Sequence, residues 1–262
     1  MGHAGGRRPA TLPWRVRMAR VLVIFDVDGT LTRTSDIDAS LYAQAFFDTF
    51  GFPLPTLDWT AYRYATDRGI AEEALRRAGH GRANRSLDDM RRRFIEMLDE
   101  ALPPDATHQV AGAGTMFDRL RQDGHAIAIA TGCWENSARL KLARSLIEIG
   151  ECPLVACDEE PDRVAILRCA LERAGFNQRH AVYVGDGPWD VRAAQRLRLP
   201  FIGIDHNSRG RLRAPGIRTV LADFRDYRGF LANTQGRLSR YEPVKTACEP
   251  AAMRKCGAIP WK

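Results

Sequence analysis

Val21-Leu22-Val23-Ile24-Phe25-Asp26-Val27-Asp28-Gly29-Thr30-Leu31 is the stretch on which the rest of the chain depends. Its first five residues are aliphatic or aromatic and unbroken, which reads as a buried strand, and the Asp-x-Asp-Gly that follows reads as a turn. Side chains alternate along an extended chain, so Asp26 and Asp28 would face the same way. Two like charges held together at one strand end repel each other unless a cation sits between them. Open α/β sheets place their ligands at the carboxyl ends of their strands, so an acid pair delivered there marks a candidate site.

Downstream the pattern repeats with other polar groups. Short apolar runs end at Thr131-Gly132, at Asp158, at Gly185-Asp186-Gly187-Pro188-Trp189-Asp190 and at Asp205, and helical periodicity fills the spans between them. Strands alternating with helices predict an α/β fold, a Rossmann-like parallel sheet with helices on both faces. Parallel strands put all those polar ends on one edge. Between the first and second strands, residues 32–104 show helical spacing and no strand signal, which predicts a small α-helical cap domain. Thr66 is the expected cap of one of its helices and Ser86 of another, ending near Leu102. The helix after Thr131 is expected to run from Glu135 to Gly150. The expected organisation is a disordered basic arm (1–19), an α/β core (20–31 and 105–232), the cap (32–104) and a C-terminal tail or extension (233–262).

Composition narrows the classes. The net charge is +7, but residues 1–20 carry five Arg and no acid, and residues 206–262 carry twelve Lys or Arg and four acids. The span between them holds 22 basic and 28 acidic residues, so the basic excess belongs to the flanks. Basic flanks suit an anionic partner as well as solubility, yet no zinc-finger, Walker or aromatic-basic motif points to nucleic acid. No apolar run approaches the roughly 20 residues that span a bilayer. The six cysteines form no Cys-x-x-Cys pair, which predicts reduced thiols and a cytoplasmic location.

Asp26, Asp28 and Asp186, with Asp190 nearby, offer only oxygen ligands, a donor set that favours Mg²⁺ over zinc. A phosphate on such a metal needs further donors. The Thr131 hydroxyl and the backbone at Gly132 supply some, and a Lys or Arg is needed to balance charge. Lys141 is the only lysine between residues 21 and 205. Cys133, Trp134 and Trp189 stand beside the site, where packing explains them equally well. Asp67 and Arg68 of the cap could reach the substrate, though a helix cap and a solvated arginine explain them better, and His125 lies at the wrong end of its strand for the site.

Asp26-Val27-Asp28-Gly29-Thr30-Leu31, the strand ending in Thr131-Gly132, and Gly185-Asp186 through Asp190 together resemble the haloacid dehalogenase (HAD) superfamily across roughly residues 20–225. The resemblance implies a Mg²⁺-dependent phosphatase acting on a small phosphorylated substrate. Asp26 would be the nucleophile, forming an aspartyl-phosphate, and Asp28 the general acid/base. Asp26, the backbone carbonyl of Asp28, Asp186 and Asp190 would serve the metal, and Thr131, Gly132 and Lys141 or Arg163 the phosphate. The family usually places Lys-Pro after the third strand; here the chain reads Asp158-Glu159-Glu160-Pro161-Asp162-Arg163. Alternatives within the resemblance are a phosphomutase, a phosphonatase-like enzyme and a nucleic-acid-associated phosphatase using the basic flanks. The absence of any lysine in 32–110 counts against the phosphonate cleaver, whose cap would supply one as a Schiff base.

Overall fold

A computed structural model describes residues 21–80, 84–208, 210, 212 and 217–238. The expected basic arm and the chain beyond Leu238 lie outside the described residues. Six strands form one parallel sheet: β1 (Leu22–Phe25), β2 (Ala126–Ala130), β3 (Leu154–Val155), β4 (Ala181–Gly185), β5 (Phe201–Ile204) and β6 (Val220–Leu221). Their order is β3-β2-β1-β4-β5-β6. β1 is central because its four residues are all buried, with Leu22 in register with Ala126 on one side and Ala181 on the other. The chain leaves β1 for one half of the sheet and crosses to the other half after β3. The carboxyl end of β1 is therefore the switch point at which such sheets open a crevice.

Alternation along β1 divides the core between the two faces of the sheet. Leu22 and Ile24 join the apolar cluster that includes α6 (Arg163–Ala174) and α7 (Pro188–Leu197). Val23 and Phe25 join the cluster of α4 (Ala113–Gln122), part of α5 (Glu135–Arg144) and α8 (Tyr227–Leu238). Phe25 packs against Phe117, Phe224 and Phe230 there. His125, at the amino end of β2, is buried and accepts the Val21 N–H at 3.4 Å, a role in the fold and away from the strand-end site.

The cap comprises α1 (Ser35–Phe50), α2 (Asp67–Arg77) and α3 (Asn84–Ala101). Its two connections pair with each other: Val110 N–H donates to Leu31 O at 2.9 Å and Arg33 N–H to His108 O at 2.7 Å. Gly51 closes α1 in the left-handed conformation, and the Thr66 hydroxyl accepts the Gly69 N–H to cap α2 as expected. Tyr42 and Phe94 meet Trp134 of the core edge, joining the cap to one face's apolar cluster.

Three boundaries differ from expectation. α3 begins at Asn84, so Ser86 lies inside the helix. α5 stops at Arg144, short of Gly150, because Leu146 turns left-handed (φ 54°) and its N–H and that of Ile147 bond back to Ala143 O and Leu142 O. α8 continues to Leu238, past the expected end of periodicity at 232, because Phe230, Leu231 and Thr234 bury its inner stripe.

Candidate active site

The carboxyl edge of the sheet gathers side chains from segments far apart in sequence. Asp26 follows β1 directly, its N–H donating to Val184 O at 3.0 Å, and its side chain is buried. The guanidinium of Arg163, the first residue of α6, donates to Asp26 Oδ1 at 2.8 Å and lies 3.0 Å from Asp190 Oδ1. Asp190 is held from both sides, by the Tyr183 hydroxyl at 2.6 Å and the Gly187 N–H at 3.0 Å. Asp186 completes a group of three carboxylates whose nearest oxygens lie within 4.8 Å of one another. Gly29, in the left-handed region (φ 76°), makes this approach feasible: a Cβ there would stand 2.1 Å from Asp186 Oδ2.

Burial above all, with Asp190 and Asp28 adding to it, pushes the Asp26 carboxyl up to about 7 against the pull of Arg163. A hard cation would relieve that repulsion and keep all three groups ionised, and the all-oxygen donor set fits Mg²⁺. Asp28 is set apart from this trio. Its carboxylate accepts from Lys141 Nζ at 2.5 Å, the Cys133 thiol at 2.7 Å and the Thr34 hydroxyl at 2.9 Å. Burial alone would raise Asp28, but Lys141, Cys133 and Thr34 outweigh it and hold the carboxyl below the usual range. Lys141 also reaches Asp38 Oδ1 at 2.6 Å and is completely buried.

The sequence profile of the haloacid dehalogenase-like hydrolases matches residues 23–204. The chain belongs to that family. A phosphoglycolate phosphatase of Agrobacterium fabrum is 28% identical over 193 residues, covering 70% of this chain and 79% of that protein. Among solved structures, a hydrolase from Pseudomonas syringae superposes with a TM-score of 0.64 at 21% identity, covering 81% of this chain and 98% of that one. A β-phosphoglucomutase from Clostridium difficile gives 0.67 at 11% identity, covering 84% and 100%; at such identities the likeness is one of fold.

In this HAD-like hydrolase a cavity lies between core and cap. Asp26, Asp28, Thr131, Gly132, Arg163 and Asp186 line it from the core. Lys141 and Asp190 do not line it; each stands behind the residue it touches. Thr131 is buried, and its Oγ1 accepts the Cys133 N–H at 3.2 Å. Gly132 is the contact point of three segments, since a Cβ there would meet Arg163 Nη2 at 2.3 Å and Ala65 O at 2.9 Å. Asp67, for which the sequence leaves open a helix cap or a substrate contact, is buried in the cavity wall, with its N–H on Gly132 O and its Oδ2 on the Trp134 N–H. Arg68 stays outside the cavity, on Glu72 and Asp158 O.

Sequence reasoning missed Asp38 and Tyr183. Nothing in the polar run of α1 distinguishes Asp38 from Asp36. The legible hint was indirect, a lone lysine in an acid-rich span, which on burial must find carboxylates. Among the described residues no helix is long and apolar enough to cross a membrane.

Proposed function

We propose that this chain is a Mg²⁺-dependent phosphatase that hydrolyses a small phosphorylated metabolite through an aspartyl-phosphate on Asp26. The observation that carries this reading is the Arg163 guanidinium on Asp26, beside Asp186 and Asp190 at the buried end of β1. One point thus holds a nucleophile, a fixed cation and a metal-ligand set. Asp26, Asp186 and the backbone carbonyl of Asp28 would hold the ion, with Asp190 supporting it. When bound, the ion supplies positive charge that offsets the charge of the transferring phosphoryl group.

The Asp26 carboxylate attacks phosphorus, the bond to the leaving alcohol breaks, and Asp28 hands that alcohol its proton. Asp28 then takes a proton from water, which attacks phosphorus and frees Asp26 and inorganic phosphate. Because Lys141 keeps Asp28 ionised beforehand, the first proton arrives with the substrate, whose phosphate has a second pKa of about 6. Arg163, the Thr131 hydroxyl and the backbone at Gly132 hold the phosphoryl oxygens. Lys141 acts at one remove, by orienting Asp28. The relative named as a phosphoglycolate phosphatase supports a monoester substrate.

Phosphate release from a panel of phosphorylated metabolites, with Mg²⁺ and with EDTA, tests the proposal. Turnover is expected with Mg²⁺ alone. Asp26→Asn should reduce it on the order of 10³-fold or more without unfolding the protein. Undiminished release by Asp26→Asn would remove Asp26 from the nucleophile's role.

A further inference from the structure

A phosphoryl group placed against Asp26 leaves the rest of the substrate to extend toward the cap. That side of the cavity is built from Ser35 and Asp38 of α1, Trp59, and Asp67 and Ile70 of α2, with Trp189 facing them from the core. Among the described residues the one basic side chain lining the cavity is Arg163, and Asp26 and Asp190 engage it. Lys141 offers the cavity nothing, since its ammonium is buried between Asp28 and Asp38. A second anionic group on the leaving alcohol would therefore meet carboxyl groups with no cation to answer it, and like-charge contact of that kind discriminates between ligands.

A hydroxyl or an ammonium meets the opposite situation. Asp67 Oδ2 accepts the Trp134 N–H at 2.9 Å and Asp38 Oδ1 accepts Lys141 at 2.6 Å, which fixes both carboxyl groups in place. A carboxylate has about four acceptor positions, so each can still take a substrate donor. Burial raises the Asp38 carboxyl to about 6, which leaves it ionised above pH 7; burial and the neighbouring Asp38 raise Asp67 well above the usual carboxyl range, so Asp38 carries the charge of this wall and Asp67 adds hydrogen-bonding capacity. Trp59, Ile70 and Trp189 provide apolar faces for the C–H surface of a small alcohol.

We infer that this pocket takes phosphate esters of small polyols or amino alcohols and turns away esters whose alcohol carries a second anionic group. This specificity rests on the phosphatase reading above. Its test compares kcat/KM of the full chain with Mg²⁺ near pH 7.5 on two pairs of similar size: glycerol phosphate and ethanolamine phosphate, against 2-phosphoglycolate and 3-phosphoglycerate. The first pair is expected to lead by about tenfold or more. Asp38→Asn should narrow that gap about threefold, chiefly by lowering KM for the anionic pair. Asp26-dependent release that is as fast on the anionic pair overturns the inference and leaves the phosphatase standing. If neither pair nor p-nitrophenyl phosphate gives Asp26-dependent release, the phosphatase reading falls and the inference with it. The wild-type ratio decides the matter even where a variant fails to fold.

Discussion

Lys141 and Arg163 both pair with carboxylates, but with different members of the Asp26/Asp28 pair. Removing one partner from a buried ion pair leaves an uncompensated charge and costs about 3–5 kcal/mol. Lys141→Met should lose about that much in urea denaturation and lower kcat with little change in KM, because Lys141 touches Asp28 and does not line the cavity. Arg163→Met should be destabilised comparably, but it should raise KM as well as lower kcat, since its side chain faces the phosphate. Full activity in both variants would refute the charge-balance argument. The two cations were legible in sequence as candidates, but their partition was not. The carboxylates that claim Lys141 come from β1's turn and from α1, 113 and 103 residues away. His125 makes a different prediction at this scale. Burial lowers its pKa below the usual 6.5, so it stays neutral and accepts the Val21 N–H. A depressed pKa stabilises the fold above the unfolded value and loses that contribution as pH falls through the folded one. Thermal melting at pH 7.5 and at 5.5 should show a smaller acid loss for His125→Phe than for wild type; equal losses would take the histidine out of the acid response.

At the scale of elements, α5 ends in a Schellman motif with leucine where glycine is usual. Leu146 occupies the left-handed position and is 53% exposed, while Ile147 behind it is buried. An L-residue pays about 1–2 kcal/mol there, against roughly 0.5–1 kcal/mol of extra chain entropy lost by glycine. Leu146→Gly is therefore expected to stabilise by about 0.5–1 kcal/mol, read as a higher urea midpoint at unchanged slope, and a lower midpoint would mean that Leu146 makes contacts that matter. This terminus also shows why sequence overran the helix: Leu146 and Ile147 continue the apolar spacing, and no glycine marks the stop before Gly150. The opposite error occurred in α8, where the buried stripe Tyr227, Phe230, Leu231 and Thr234 does follow helical spacing. Gly229, Gly236 and a polar residue on the stripe concealed it. Five of the six strands were legible because each is a short apolar run ending in a polar residue, and the ends of β1, β2 and β4 line the cavity. Asp67 fits both readings open to it, since its helix start is also a wall of the cavity, which only tertiary contact reveals.

For the whole molecule the question is what seats the cap on the core. Two kinds of contact do so. Buried bonds fix the start of α2: Asp67 N–H to Gly132 O at 2.8 Å, and the Thr66 hydroxyl to Pro161 O at 3.0 Å. Around them lies a more exposed set centred on Asp158, which accepts Arg91 of α3 at 2.9 Å and the Glu135 N–H at 2.6 Å, while its carbonyl accepts Arg68 of α2 at 2.9 Å. Asp158 opens the stretch where the resemblance leads one to expect a lysine; here that stretch seats the cap through Asp158 and Pro161 and reaches Asp26 through Arg163. The Arg91–Asp158 pair is 35% and 26% exposed, which limits its worth to about 1 kcal/mol, enough to shift an open–closed balance several-fold. Asp158→Ala should therefore melt close to wild type yet open more often, raising KM about three- to fivefold. Salt separates this from a direct effect on binding. Going from 0.1 M to 1 M shortens the screening length from about 10 Å to 3 Å, weakening both the latch and any charge attraction for substrate in wild type, but only the latter in the variant. The KM of wild type should climb toward that of Asp158→Ala at high salt. A constant ratio between the two across the salt range would show that Asp158 acts on binding without acting on the cap.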